Sequence, residues 1–157
     1  MSANQPLPFA RKVKELVVYQ KQRALARQLF EISKRFPKEE RYALTDQMRR
    51  SSRSIGAQIA EAWAKREYEK HFYSKLTDAD AEEEETRHWI ETADDCHYLE
   101  QDELSALLSQ CDEIGRMLES MKSRASCFCR DQHTQSSVVR EEPDDELSEF
   151  FAKPTDV

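Results

Sequence analysis

Four stretches of this chain carry apolar residues at three- and four-residue steps, and only two glycines occur in its 157 residues. A side chain returns to the same face of an α-helix every 3.6 residues, so each stretch describes a helix with one buried stripe. Sheet proteins need many turns, and turns rely on glycine. So few glycines therefore point to long helices and short connections. The spacing predicts a first helix over 13–36, with a stripe of Val18, Leu25, Leu29, Ile32 and Phe36 widened by Ala26 and Phe30. Pro37 ends it, because proline pushes the preceding residue out of the helical region. A second helix is expected from residue 38 or 42 to 65, on Leu44, Met48, Ser51 or Ser52, Ile55, Ile59 and Trp63. A third should cover 68–96, on Phe72, Leu76, Ala79, Thr86, Ile90 and Ala93, with Glu83 on the same face. A fourth should cover 101–126, on Leu104, Leu107 or Leu108, Cys111, Ile114, Leu118 and Met121. Short connections make sequential helices antiparallel neighbours. The expected fold is all-α: an antiparallel up-down-up-down four-helix bundle over 13–129, between an N-terminal arm (1–12) and a disordered acidic tail (130–157).

Charge is divided along the chain. Residues 1–76 carry a balance of +9 and residues 77–157 a balance of −16, which together give the net −7. Such a chain can offer a basic surface to a polyanion despite its acidic total. Equally, its two halves can neutralise each other within or between subunits. No 18-residue apolar run is present, so no membrane span is expected. The opening MSANQPLPFARK lacks the apolar core of a secretory signal, and the expected location is the cytoplasm, with the four cysteines reduced.

The stretch FPKEERYALTDQMRRSSRSIGAQIAEAWAKR, from Phe36 to Arg66, resembles the signature of the four-helix-bundle proteins named after the intervening-sequence protein of 23S ribosomal RNA genes. Phe36, Pro37, Glu39, Glu40, Leu44, Gln47, Arg49, Arg50, Ser54, Ile55, Ile59, Ala60 and Glu61 carry the likeness. A second block, KLTDADAEEEETRHWIETADDCHYL, is similar to the third helix of one branch of that family. Gln58 stands in place of an asparagine, and Ala62 and His97 in place of glycines, the last at a helix end where glycine serves a left-handed cap. The resemblance implies a bundle that assembles into a ring, typically a pentamer, with no enzymatic activity. It also implies a relative that serves diversity-generating retroelements, binding reverse transcriptase and nucleic acid through basic surface.

The candidate nucleic-acid-binding residues are basic: Arg49, Arg50 and Arg53 within little more than a turn, Lys34, Arg35, Lys38 and Arg41 around the first connection, and Lys65 and Arg66 at the far end of the second helix. Arginines so placed can bind phosphates. The alternative is that Arg50 pairs with Glu61 or Glu85 across the bundle or a subunit interface. Ser52, Gly56, Ala57 and Ala60 are small enough to admit a close neighbour and are the expected oligomer interface. A mid-helix glycine costs roughly 1 kcal/mol against alanine, which close packing would explain.

No metal or cofactor is expected. A di-metal bundle needs Glu-x-x-His on two helices, and Glu85–His88 fits once. Cys127-Phe128-Cys129 lacks zinc spacing and a fourth ligand. Cys96 and Cys111 are expected to fill core space as small hydrophobes. The expected partners are a second copy of the chain, RNA or DNA, and a reverse transcriptase. The competing function is a scaffold that docks a basic partner through the acidic third helix and tail. Leu147, Phe150 and Phe151 are apolar residues in that tail. They suit docking or fold-back, but a solvated tail is preferred.

Overall fold

The computed structural model describes residues 10–129 and 149–152. The arm before residue 10 and tail residues 130–148 and 153–157 lie outside the described residues. Four long helices form: α1 (Val17–Ser33), α2 (Asp46–Ala64), α3 (Glu69–Asp95) and α4 (Gln101–Ser123). A single turn, α5 (Ala125–Phe128), follows α4. Each long helix packs on the two adjacent in the cycle α1–α2–α3–α4, so the bundle is square and antiparallel. The predicted stripes meet inside it. Leu25, Leu29, Met48, Ile55, Leu76, Ile90, Leu107 and Ile114 are wholly buried. Each such side chain contributes about 1.5–3 kcal/mol of burial.

The element boundaries depart from expectation at both ends of the first helix. It does not run from Val13. Val13–Glu15 form a 3-10 turn, and Leu16 is extended at φ −75°, ψ 128°. The Glu15 carboxylate accepts from the Arg11 backbone N–H at 2.6 Å, which stabilises that turn. At the other end α1 stops at Ser33, so Phe36 leaves the helix but stays buried, 5.4 Å from the Tyr98 ring. The Tyr98 hydroxyl donates to Glu40 at 3.0 Å. This clasp joins the α1–α2 and α3–α4 connections. Between α1 and α2, Lys38–Glu40 make a 3-10 turn and Arg41–Thr45 a π-helical turn that feeds α2.

The α3 terminus shows what His97 does in a glycine's place. Its φ is 60°. Its N–H donates to the Asp94 carbonyl at 2.8 Å, and the Tyr98 N–H to the Ala93 carbonyl at 3.0 Å. That pair of bonds is the Schellman arrangement, formed here despite a β-carbon. Of the two cysteines expected in the core, Cys111 is buried, but Cys96 is exposed beside this cap. Glu83 is buried as its register required, only 2% exposed.

The tail expectation needs correction at Glu149–Ala152. Phe150 is not solvated. It is 2% exposed and meets the Phe128 ring edge-on at 5.4 Å. Phe151 bridges to Leu16 as an antiparallel β-pair.

Candidate nucleic-acid interface

Helices α1 and α2 close tightly because Gly56 has no side chain. A β-carbon there would lie 2.2 Å from Gln22 Oε1. The Gln22 amide fills that space and donates to the Ser52 carbonyl at 2.6 Å. Along the outer face of α1, Tyr19, Arg23, Arg27, Phe30 and Lys34 follow one another at steps of three or four, so all point the same way. Across from them α2 presents Arg49, Arg53, Ala57 and Ala60. A groove of about 380 Å³ lies between, walled by Tyr19, Arg23, Arg27, Phe30 and Arg53 over a floor of Ala26, Gly56, Ala57 and Ala60.

Phe30 organises the basic side chains. Lys34 Nζ lies 4.6 Å, Arg49 Cζ 4.8 Å and Arg53 Cζ 5.7 Å from its ring centroid. A cation over an aromatic face is held there without being neutralised by it, which leaves the charges of Arg49 and Arg53 available to a ligand, whereas Lys34 also pairs with Glu31 at 2.8 Å. Arg49 Nε also donates to Ser33 Oγ at 2.8 Å, which fixes its direction. Arg23 repeats the pattern, 5.8 Å from the Tyr19 centroid. A second hollow of about 500 Å³ adjoins the groove, lined by Arg49, Arg50, Arg53, Ser54, Ala57 and a single carboxylate, Asp46.

The nine basic residues named from sequence therefore divide. Lys34, Arg49, Arg50 and Arg53 come together. Lys38 and Arg41 are exposed on the connection before α2, with Arg41 over Tyr42 at 5.4 Å. Arg35 is drawn aside into an ion pair with Glu103 of α4. Lys65 and Arg66 stand about 18 Å along the helix from Arg53 at 1.5 Å per residue. There Arg66 covers Trp63 at 4.1 Å and donates to its carbonyl at 2.6 Å. Sequence reasoning missed Tyr19, Arg23 and Arg27. The signal was present: with Phe30 and Lys34 they share a helical face, but attention to the α1 core stripe hid its outer side.

The expected pairing of Arg50 with Glu61 or Glu85 does not form within the chain. Glu61 takes Lys75 at 3.0 Å, and Glu85 accepts the Trp89 indole N–H at 3.1 Å. The expected oligomer interface divides too. Ser52 is 1% exposed, and Gly56 is buried under Gln22 of the same chain. Ser52 lies inside the bundle, whereas Gly56, Ala57 and Ala60 line the groove. Glu85 and His88 sit on the outside of α3, both exposed, and among the described residues no group of three or more His, Cys, Asp or Glu is placed to hold a metal ion.

A square antiparallel bundle with an arginine-lined groove between its first two helices is the class these features define. The family model for the 23S rRNA-intervening sequence protein matches residues 14–120, and the chain belongs to that family. A crystal structure of a protein of unknown function from the S23 ribosomal protein family of Bacteroides thetaiotaomicron VPI-5482 is similar to it. The two are 28% identical, the match covers 68% of this chain and 96% of that one, and they superpose with a TM-score of 0.62. No curated protein matches the chain. No helix among the described residues is long and apolar enough to cross a membrane.

Proposed function

We propose that this protein is a non-catalytic nucleic-acid-binding bundle, and that the α1–α2 face is where the phosphate backbone lies. The observation that carries this reading is the convergence of Arg23, Arg27, Arg49, Arg50 and Arg53 on two adjoining depressions lined by one carboxylate. Guanidinium groups recognise phosphate oxygens in a fork geometry, and aromatic rings between them offer faces for unpaired bases. Nothing on this face reads base edges, so binding is to backbone and shape rather than sequence. A nucleic-acid enzyme such as a reverse transcriptase is a partner this surface would serve by holding its template. In this reading the protein works in the cytoplasm.

A second copy of the chain is the competing occupant. Ala26, Ala57 and Ala60 give the groove a shallow floor that a helix could approach. We take self-association, up to a pentameric ring, as compatible with nucleic-acid binding through Arg49, Arg50 and Arg53 at the groove's edge. The scaffold reading has less support, because several α3 acids are already engaged: Asp78 with Lys75, Asp80 with Lys122, and Glu83 in the core.

The test is salt dependence. Fluorescence anisotropy with labelled single-stranded RNA should give an affinity that falls linearly on a log–log plot against salt. Arg53→Ala should lower the slope by about 0.7 without changing helicity. A salt-independent affinity, or none at low salt, would remove the reading. Light scattering should return several times the 18.4 kDa chain mass if copies assemble.

A further inference from the structure

At the end of the bundle away from the α1–α2 connection, four residues from far along the chain occupy an aromatic socket. Phe150 is buried edge-on against Phe128, which itself stacks on Phe72 of α3 at 5.8 Å. The Arg124 guanidinium lies 5.9 Å from the Phe150 ring centroid. Phe151 pairs with Leu16, and the Ala152 N–H donates to the Glu15 carbonyl at 3.1 Å. This explains why α1 begins late. Leu16 is held extended so that its backbone can pair with an incoming strand, one ring supplies the anchor, and the neighbouring backbone supplies the register. Glu149 and Phe150 then complete the wall of a groove with Lys21, Glu113 and Arg116, in which Lys21 is already paired with Glu113 at 2.8 Å.

We propose that this socket is a self-recognition site, in which the Glu149–Ala152 segment of a second copy docks in trans in the same way. Two observations support exchange. The attachment is confined to four residues: the buried Phe150 ring between Phe128 and Arg124, the half-buried Phe151 ring 6.3 Å from Phe128, a β-bridge and a backbone hydrogen bond. Residues 130–148 separate it from the bundle, and a chain of about 20 residues spans up to about 65 Å, whereas the longest helix here is about 40 Å. Segments on tethers of this length exchange between identical copies at little cost, since the docked arrangement is the same whichever copy supplies the segment. In one copy the covalent connection favours its own tail, because it raises the local concentration of that segment above that of other copies. Crowding copies together, as an assembly does, removes that advantage.

Two measurements test the proposal. In the full chain, Phe150→Ala with Phe151→Ala empties the socket. A labelled peptide of residues 146–152 should bind this variant saturably and wild type at least tenfold more weakly, because the resident tail competes. The same peptide carrying Phe150→Ala should not saturate. Equal affinity for both proteins, or no binding to a variant with wild-type helicity, overturns the proposal. The second measurement leaves the docked segment intact: a photo-crosslinking amino acid at position 151, in full chain mixed with a heavier-tagged copy. Adducts between copies at residues 15–16, rising with concentration, are expected. Adducts confined to one chain at every concentration overturn it.

Discussion

His97 holds a left-handed backbone that a β-carbon resists. The helix cap forms regardless, because its two hydrogen bonds and the buried Leu99 that follows outweigh the strain. Its cost should be recoverable: His97→Gly should stabilise the protein by about 1 kcal/mol and raise the melting temperature by a few degrees, as a thermal melt would show. Glu83 is a second residue held against its preference. Burial pushes its carboxyl up to about 7. Arg87 opposes this, but from 3.3 Å and while also bound to Asp112 at 2.6 Å. Glu84 and Asp80 add to the rise, and Cys111 on α4 faces it as a thiol that burial pushes up to about 12. Gly115 leaves the space the carboxyl occupies, with Glu83 Oε2 3.4 Å from where a β-carbon would stand. The folded carboxyl keeps its proton to about pH 7, and the unfolded one only to about 4.5. The stabilisation from this group is therefore complete below the unfolded value and is lost as pH rises toward 7, a change of roughly 3 kcal/mol. Glu83→Gln should flatten that pH dependence. It should raise the melting temperature at pH 8 and leave it nearly unchanged at pH 4. A parallel fall of both proteins between pH 5 and 8 would show that Glu83 is not the group responsible.

At the scale of elements, the α1–α2 pair depends on one exchange: Gly56 gives up a side chain so that Gln22 can insert its amide. Gly56→Ala gains roughly 1 kcal/mol of helix propensity but displaces an amide whose hydrogen bond is worth about as much, so the net change should be small. In a Gln22→Ala background the same substitution should become stabilising by about 1 kcal/mol. Urea denaturation of the four proteins would give that coupling, and additive effects would refute the exchange. Gly56→Leu should cost about 1–3 kcal/mol by overpacking. Helix identities were legible because period and buried stripe are local properties: Leu25, Leu29 and Ile32 fall where their spacing puts them. The break at Leu16 was not legible, since its cause is Phe151, far along the chain. Nor was the π-helical turn before α2. It follows from Phe36 and Tyr98 clasping two connections together, a tertiary contact that no local pattern records. Ser52 was named both for the core stripe and for the expected interface, and its burial puts it in the core, whereas Ala57 and Ala60 face the groove.

For the whole molecule, the charge division seen in the sequence becomes a spatial one. Part of the acidic half is neutralised by pairs between neighbouring helices, among them Lys122 with Asp80, Lys21 with Glu113, and Arg87 with Asp112. On the α1–α2 face Arg23, Arg49 and Arg53 are instead held on aromatic rings. Half of the candidate site could be read from Arg49, Arg50 and Arg53. On α1 the common face of Tyr19, Arg23, Arg27, Phe30 and Lys34 was legible in the spacing, but that it lies beside Arg49 and Arg53 was not, because nothing in a linear sequence says which outer helix face will lie beside which. The central claim is that this face, and not positive charge in general, binds nucleic acid. The most direct measurement compares two charge reversals of equal size in the same RNA-binding assay: Arg27→Glu in the groove, and Lys65→Glu at the distant end of α2. Both sites are exposed, so both variants should keep wild-type helicity. The account predicts that Arg27→Glu lowers affinity at least tenfold at moderate salt, while Lys65→Glu lowers it no more than about threefold, in line with a screened long-range effect. Equal losses from the two reversals, or a larger loss from Lys65→Glu, would contradict it.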